Sequence, residues 1–238
     1  MFRTSKRFLG VLLTGLILAA CEKEYSAENG YLPGAGGNNG GGGGGGTTGC
    51  KSCTYQPWCD GSVYTYIDTS GGTGTPSTST LDIISDTTID GKTYAKTLSE
   101  GNYSYHNCTA GVTSLVAFNA VTGGGSTVER VNTTILKENS PVGTTWTEIN
   151  PTAAGVDNVY DYEIIAKGIS RTVLGVTYPD VIHVHQVLSV TIPIFGAMDI
   201  TETDYYFAKN VGLIESEITD ALLGTQVLHR VLQSYSIP

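Results

Sequence analysis

Four residues of this chain have types and spacings that could do chemistry: two cysteines and two histidines. Cys50 and Cys53 are three positions apart, which is the spacing of a redox dithiol or of half a zinc site. A redox pair usually opens a helix in an αβ fold, whereas this pair follows a long glycine run, so redox activity is disfavoured. His183 and His185 are two positions apart, which places both side chains on the same face of a strand.

A carboxylate beside His183 and His185 would complete a metal site. The interpretation that we favour is a polar strand face, because the alternate residues of the segment are apolar and belong in a core. These alternate residues are Ile182, Val184, Leu188, Val190 and Ile192. We therefore predict no metal and no cofactor, and keep the two histidines as the weak metal candidates.

The acids of the C-terminal half have no spacing typical of a hydrolase, and the sequence contains no catalytic serine, zinc-protease or calcium-loop motif. These acids are Asp199, Glu202, Asp204, Glu215 and Glu217. We predict no catalytic residue.

Four cysteines, at positions 50, 53, 59 and 108, remain if Cys21 is set aside. An even number in an exported domain favours two disulfides, and a four-cysteine zinc site is the alternative. Three pairings are possible, and the sequence does not choose among them. Our guess is a Cys59–Cys108 bridge, which would close a loop of about 50 residues and contribute roughly 4 kcal/mol in the chain-entropy model.

Cys21 follows a segment with the layout of a secretory signal. Residues 1–7 carry three basic side chains and no acid, and residues 8–20 are uncharged and mostly apolar. The apolar run is shorter than the about 20 residues of a typical spanning helix. Leu18-Ala19-Ala20-Cys21 resembles the lipobox of bacterial lipoproteins. This resemblance implies cleavage before Cys21 and acylation of its sulfur and amine by palmitate-type chains that anchor the protein; a plain signal peptide with a chance cysteine is the alternative.

Residues 21–49 are predicted to be the lipidated cysteine and a glycine-rich tether, because almost nothing in them can be buried. The charged triplet 22–24 resembles the short signals that send Bacteroidota-type lipoproteins to the cell surface. That resemblance implies an outer-membrane lipoprotein exposed on the cell surface, with a periplasm-facing one as the alternative.

Residues 50–238 are predicted to form one β-rich domain. The chain has a formal net charge of −9 at pH 7 with scattered acids, and this excludes a nucleic-acid partner because phosphate binding needs a basic face. Ten segments rich in Val, Ile, Thr and Tyr alternate with Gly, Asp and Asn, which predicts an all-β antiparallel fold. The segments are SVYTYID, STLDIIS, KTYAKTL, YSYHN, TSLVAFNAV, VERVNTTIL, VYDYEIIAK, DVIHVHQVLSVTI, DYYFAKN and VLHRVLQSY. The segment ITDALLG is predicted to make a single helical turn.

Parts of the domain recur at a nearly constant offset. GSVYT at 61–65 aligns with GTTWT at 143–147, and TIDGKTY at 88–94 aligns with TVLGVTY at 172–178. The alignment predicts two repeated meanders, about 55–140 and 141–236, each with a hairpin that turns at Gly91 or Gly175. The two meanders would continue into one curved, half-barrel-like sheet or form two lobes; reuse of common turn residues is the alternative to a true repeat.

Three motifs resemble uncharacterised Bacteroidota-type lipoproteins. They are the opening Tyr55-Gln-Pro57-Trp58-Cys59-Asp-Gly61-Ser-Val-Tyr64-Thr-Tyr66, the Gly143-Thr-Thr-Trp146 segment, and Tyr205-Tyr206-Phe207-Ala-Lys209-Asn-Val-Gly212-Leu-Ile214. Asn210 stands where the family pattern usually has glycine, and both residues suit a left-handed turn. The resemblance implies a structural, non-catalytic set of motifs.

From these features we expect a non-catalytic envelope lipoprotein. Its partners would be the membrane, through the lipid, and an unknown protein, glycan or apolar ligand. An enzyme with an unrecognised site and a purely structural spacer are the alternatives. Similar half-barrel sheets occur in carriers and receptors that hold lipid or lipoprotein in a concave face, which is an analogy of fold alone.

Overall fold

The computed structural model of the chain describes residues 53–72, 74–121, 127–152, 156–192 and 196–238. The signal segment, Cys21, the glycine-rich stretch and Cys50 lie outside the described residues. Lipidation and the tether therefore stay predictions.

Within these described residues, twelve strands form one antiparallel sheet, which confirms the all-β prediction. Their bounds are β1 (Val63–Ser70), β2 (Ser77–Ile89), β3 (Lys92–Ser99), β4 (Asn102–Thr109), β5 (Val112–Val121), β6 (Thr127–Lys137), β7 (Thr145–Pro151), β8 (Asp157–Val173), β9 (Val176–Ile192), β10 (Gly196–Ala208), β11 (Gly212–Asp220) and β12 (Gln226–Ser236). None of the described segments is a helix long and apolar enough to cross a membrane.

The strand order is β6-β5-β4-β3-β2-β1-β12-β11-β10-β9-β8-β7. Strands β1–β6 and β7–β12 are thus two meanders of six strands, and the pairing of β1 with β12 joins them into one curved sheet rather than two lobes. Two strands, β7 and β11, were not among the ten predicted segments. Their acids and the Pro151 of β7 obscure the alternation of apolar residues, and β11 also takes the first three residues of the predicted helical turn, which begins only after Asp220.

The hairpin turns at Asp90-Gly91 and Leu174-Gly175 have the same backbone. Asp90 and Leu174 have φ of 50° and 48°, and the following glycines have φ of 75° and 82°. Two consecutive positive φ values define a type I′ turn, whose twist matches that of the flanking strands. The predicted left-handed conformation of Asn210 is confirmed by its φ of 62°.

Side chains of β7 bring the two outermost strands of the sheet together and nearly close a barrel. The backbone N–H groups of Asn132 and Thr134 in β6 donate to Asn150 Oδ1 at 3.1 Å and Glu148 Oε1 at 3.2 Å. Trp146 Nε1 donates to the carbonyl of Thr134 at 2.8 Å. These bonds satisfy backbone groups that an open edge strand would expose for pairing with another chain.

The antiparallel order gives the barrel two ends. At the near end β1 begins, β12 ends, and the β2–β3, β4–β5, β6–β7, β8–β9 and β10–β11 turns lie. At the far end lie the β1–β2, β3–β4, β5–β6, β7–β8, β9–β10 and β11–β12 turns. We use these two names below.

The N-terminal segment 53–60 is fastened inside the near end. Cys53 forms a disulfide with Cys108 at the end of β4, so the guessed Cys59–Cys108 pairing is wrong. Cys59 is itself disulfide-bonded. The sequence could not choose between Cys53 and Cys59, because both lie in the short segment before β1 and only the path of that segment decides which one faces β4.

The buried carboxylate of Glu138, in the β6–β7 turn, binds the same segment. Its Oε2 accepts the backbone N–H groups of Thr54 at 2.9 Å and Tyr55 at 3.0 Å. Gln56, which is 2% exposed, accepts from the N–H of Leu213. Trp58 is also 2% exposed and stacks on His106, with the ring centroids 3.9 Å apart.

Candidate functional site

The inner face of the sheet changes from apolar to polar along the strands. On β1 the order from the near end is Tyr64, Tyr66 and Asp68, and on β12 it is Leu232 and then Arg230. Side chains on the inner face of a curved sheet can reach strands that are not their direct neighbours. Tyr66 Oη on β1 donates to the carbonyl of Leu213 at the start of β11 at 3.2 Å, across the intervening strand β12. This face is therefore the inner one. The packed core therefore lies toward the near end, and polar side chains follow it toward the far end.

A row of four inner residues crosses neighbouring strands at this change. Tyr205 on β10 pairs with Ser216 on β11, Ser216 pairs with Arg230 on β12, and Arg230 pairs with Asp68 on β1. We call Tyr205, Ser216, Arg230 and Asp68 the inner row. The row exists because each of these strands turns a polar residue inward at a position where a core strand would carry an apolar one.

Asp68 and Arg230 form the most strongly bonded pair of the inner row. Arg230 donates two hydrogen bonds to the carboxylate, at 2.7 and 2.9 Å, and Ser79 Oγ donates a third at 2.5 Å. Burial opposes ionisation of Asp68, but the bonds from Arg230 and Ser79 outweigh burial and hold the pKa of Asp68 below its ordinary value. The guanidinium also lies over the ring of Tyr66, 5.2 Å from its centroid.

Tyrosine and amide groups extend the inner row toward β8. Tyr205 Oη donates to Gln186 Oε1 at 2.7 Å, and burial raises the pKa of Tyr205 to about 12. Tyr160 on β8 lies close enough to interact electrostatically with Tyr205, and burial raises the pKa of Tyr160 too. Both hydroxyls therefore stay protonated at neutral pH and can donate as well as accept hydrogen bonds.

The predicted histidine pair lies on the opposite, outer face. His183 Nε2 and His185 Nδ1 both contact Asp204 Oδ1, at 2.6 and 3.0 Å. The bond with His183 lowers the pKa of Asp204 and outweighs the opposing effect of burial, and the bond with His185 lowers it further. Ile182 and Val184 of the same strand are fully buried, as the alternation predicted, whereas Leu188 and Val190 are only partly buried.

A second carboxylate, Glu215, lies beside the first on the outer face. Burial opposes its ionisation, but Arg171 Nε at 2.6 Å and His229 Nε2 at 2.9 Å outweigh burial, so the pKa of Glu215 is lowered. Arg171 also lies over the ring of Tyr206, 3.9 Å from its centroid. Arg171 is on β8 and Glu215 on β11, so the β8–β9 hairpin bends back over the sheet to make this contact.

The Arg171–Glu215 pair braces the β8–β9 hairpin against β11. In the part of the chain that the structure describes, no group of three or more His, Cys, Asp or Glu side chains is arranged to hold a metal ion. A carboxylate whose pKa is lowered is a weak base, so neither Asp204 nor Glu215 is tuned for proton abstraction near neutral pH. Two other acids accept a side-chain hydrogen bond: Asp199 from Ser189 Oγ, and Glu217 from Gln226 Nε2.

The structure thus brings together the predicted histidines but places them away from the inner row, which sequence reasoning missed. Asp68 and Arg230 are 162 positions apart, and no local motif signals that they meet. The one available signal was the alternation in β1, where Tyr64, Tyr66 and Asp68 share a face.

The fold and this inner row define an all-β protein with a twelve-stranded, nearly closed antiparallel sheet and a polar inner surface toward its far end. No protein-family model matches the chain, and no curated protein matches it. It is similar to a solved structure from Bacteroides fragilis described as a "putative exported protein with YmcC-like fold", at 9% identity and a TM-score of 0.47, over 77% of this chain and 99% of that one. It is also similar to a "putative lipoprotein" from Parabacteroides distasonis, at 14% identity and a TM-score of 0.44, over 78% of this chain and 100% of that one. A likeness at this level supports no conclusion about ligand, location or chemistry.

Proposed function

We propose that the chain is an outer-membrane lipoprotein, exposed on the cell surface, whose barrel binds a neutral, hydroxyl-rich ligand of the glycan class at the inner row and performs no catalysis. The observation that carries the proposal is the inner row itself. A charged pair held mostly out of water is costly to keep, and such polar groups concentrate at functional sites.

The chemistry of the inner row selects among a protein, a glycan and an apolar ligand. Asp68 neutralises Arg230 through two hydrogen bonds, so the site offers no excess cation to an anionic ligand. Tyr160 and Tyr205 supply rings and hydroxyls, and Arg230, with 31% of its side chain exposed, supplies further donors. Hydrogen-bonding groups among aromatic rings suit a sugar better than a lipid chain, which would leave those groups unpaired.

The position of the inner row agrees with a tethered binding protein. The N-terminal segment is fastened at the near end by Cys53–Cys108 and Glu138, so a chain that runs back to an anchored Cys21 leaves from that end. The polar stretch of the inner face lies toward the opposite end, where a ligand outside the membrane would approach.

A glycan array of neutral and acidic oligosaccharides, probed with the mature chain, tests the proposal. We expect neutral oligosaccharides to bind and Tyr205→Phe to weaken them roughly fivefold, as the loss of one hydrogen bond would. Tyr235→Phe is the matched control, because Tyr235 is an exposed tyrosine at the near end and its loss should leave binding unchanged. Binding of a fatty acid with no response to any oligosaccharide would favour an apolar ligand and end the glycan proposal.

The anchor needs a separate test. Cells grown with a fatty-acid analogue should label the wild-type chain and not Cys21→Ala. Equal labelling of both would remove the lipoprotein proposal, and added protease that cleaves residues 30–49 only after the outer membrane is opened would place the domain in the periplasm.

A further inference from the structure

The line between β6 and β7, which we call the seam, is closed by side chains. β6 and β7 are the two ends of the strand order, and Trp146, Glu148 and Asn150 of β7 bind the backbone of β6. Inside the barrel, Thr133 Oγ1 of β6 lies 2.9 Å from Tyr162 Oη of β8. By contrast, all seven residues of β7 pair with β8 in a backbone ladder. Side chains can rotate away while both strands stay intact, so the barrel parts most easily along the seam.

The seam is fixed at the near end and free to part from the far end. At the near end the β6–β7 turn joins the two strands. Lys167 Nζ of β8 holds this turn by donating to the carbonyls of Glu138 at 2.6 Å and Ser140 at 2.9 Å. Toward the far end β6 begins and β7 ends, and there Asn150 Oδ1 accepts from the N–H of Asn132. The near end therefore serves as the hinge.

The inner row lies opposite the seam. Because β1 and β12 are the middle pair of the strand order and β6 and β7 are its ends, the Asp68–Arg230 pair lies across the nearly closed barrel from the seam. Arg230 interacts electrostatically with Tyr205. Tyr162 interacts in the same way with Tyr205 and with Glu148 of the seam. A ligand that enters at the seam would therefore meet polar groups from the seam to the inner row.

The seam also holds a hydrogen-bond donor that is left over. Asn150 is 6% exposed, and its Nδ2 has no hydrogen-bond partner among the described residues. A buried donor without a partner is costly. A hydroxyl group brought in at the seam would satisfy it.

We propose that the seam opens from the far end and admits an internal stretch of a long neutral glycan sideways to the inner row. The inference rests on the proposed glycan site and names the form of its ligand. An entrance at the far end alone would require a chain end to be threaded into the barrel, whereas an entrance along the side accepts the middle of a polymer. When the seam closes again, the side chains of β7 return to the backbone of β6.

Chemical bridging of the seam tests the proposal in the lipidated mature chain, in detergent solution. Asn132→Cys combined with Ile149→Cys places two exposed thiols on either side of the seam, and dibromobimane joins them. The matched control is Thr147→Cys combined with Asp161→Cys, because these exposed residues already pair directly on β7 and β8. The described native cysteines are disulfide-bonded, and the wild-type chain given the same treatment supplies the background.

The probes are three neutral polysaccharides, dextran, pullulan and mannan, and the short neutral oligosaccharide that binds most tightly on the array. Bridging the seam should slow association of the best-bound polysaccharide roughly tenfold or more, because binding then lacks the opening that it requires. The control bridge should leave that rate unchanged. The oligosaccharide should bind bridged and unbridged chains alike, since it is short enough to enter at the far end.

The outcomes separate this inference from the proposed function. A polysaccharide that associates equally fast with bridged and unbridged seams would overturn the side entrance and leave the glycan site standing. Unbridged chain that binds the oligosaccharide but none of the three polysaccharides would overturn it too. Unbridged chain that binds neither kind of probe would overturn the glycan site, and the side entrance with it.

Discussion

The two ends of the barrel use polar groups for opposite purposes. At the near end, the buried Glu138 carboxylate accepts hydrogen bonds from the backbone N–H groups of Thr54 and Tyr55. These bonds hold the N-terminal segment to the β6–β7 turn. At the inner row, Arg230 keeps 31% of its side chain exposed although it is bonded to Asp68. The comparison teaches that a buried polar group becomes a candidate for binding when part of its hydrogen-bonding capacity still faces solvent.

The largest loss of stability should come from removing the disulfide at the near end. Replacing both Cys53 and Cys108 by serine removes a bridge between residues 55 positions apart, and chain entropy predicts a loss of roughly 4 kcal/mol in the free energy of unfolding. Denaturant unfolding of the oxidised wild type and the double variant measures it. A loss below about 1 kcal/mol would mean that Glu138 and the packing of Trp58 fasten the segment without the disulfide.

A smaller loss of stability is expected from a substitution in the inner row. Asp68→Ala leaves Arg230 without its carboxylate, which costs about 3–5 kcal/mol in a fully buried pair and about 2 kcal/mol here because Arg230 is partly exposed. Asp199→Ala is the control, since Asp199 is exposed and accepts one bond from Ser189. Equal losses in the two variants would contradict a special role for the Asp68–Arg230 pair.

The same carboxylates predict how stability depends on pH. The pKa values of Asp68, Asp204 and Glu215 are lowered in the folded chain. Their contribution is therefore fully present above their ordinary pKa values of about 4 and is lost as the pH falls through the lowered folded values. Unfolding midpoints measured from pH 7 downward should drop below about pH 4, and Asp68→Asn should make that drop shallower. A midpoint that rises on acidification would contradict the lowered pKa values.

The smallest effects should come from two turns, one at each end. Leu174 at the near end and Glu100 at the far end have φ of 48° and 50°, and each precedes a glycine. Asparagine is more easily accommodated there, so Leu174→Asn should stabilise the chain in solution by about 0.5 kcal/mol. Glu100→Asn should stabilise it less, because Glu100 also interacts electrostatically with Arg230 of the inner row. Thermal unfolding measures this gain. If either variant is less stable than the wild type, the native side chain at that position makes stabilising contacts that outweigh the strain of its backbone.

What the sequence could predict follows from how far apart the interacting residues are. The hairpins at Gly91 and Gly175, the left-handed Asn210 and the shared face of His183 and His185 depend on neighbours along the chain, and local patterns revealed them. The Asp68–Arg230 pair, the choice of Cys53 as the partner of Cys108 and the bonds from β7 to β6 depend on registers between distant strands. No local pattern contains those registers, because each is set by how the whole sheet closes.

Hydrogen exchange of the mature chain, with and without the neutral oligosaccharide that binds most tightly on the array, tests the central claim most directly. If the inner row is the binding site, the oligosaccharide should slow exchange in peptides that contain Asp68, Tyr160, Tyr205 and Arg230, and leave residues 53–60 unchanged. Slower exchange confined to the near end or to the outer face around His183 and His185 would contradict the division of the barrel into a fastened end and a binding surface.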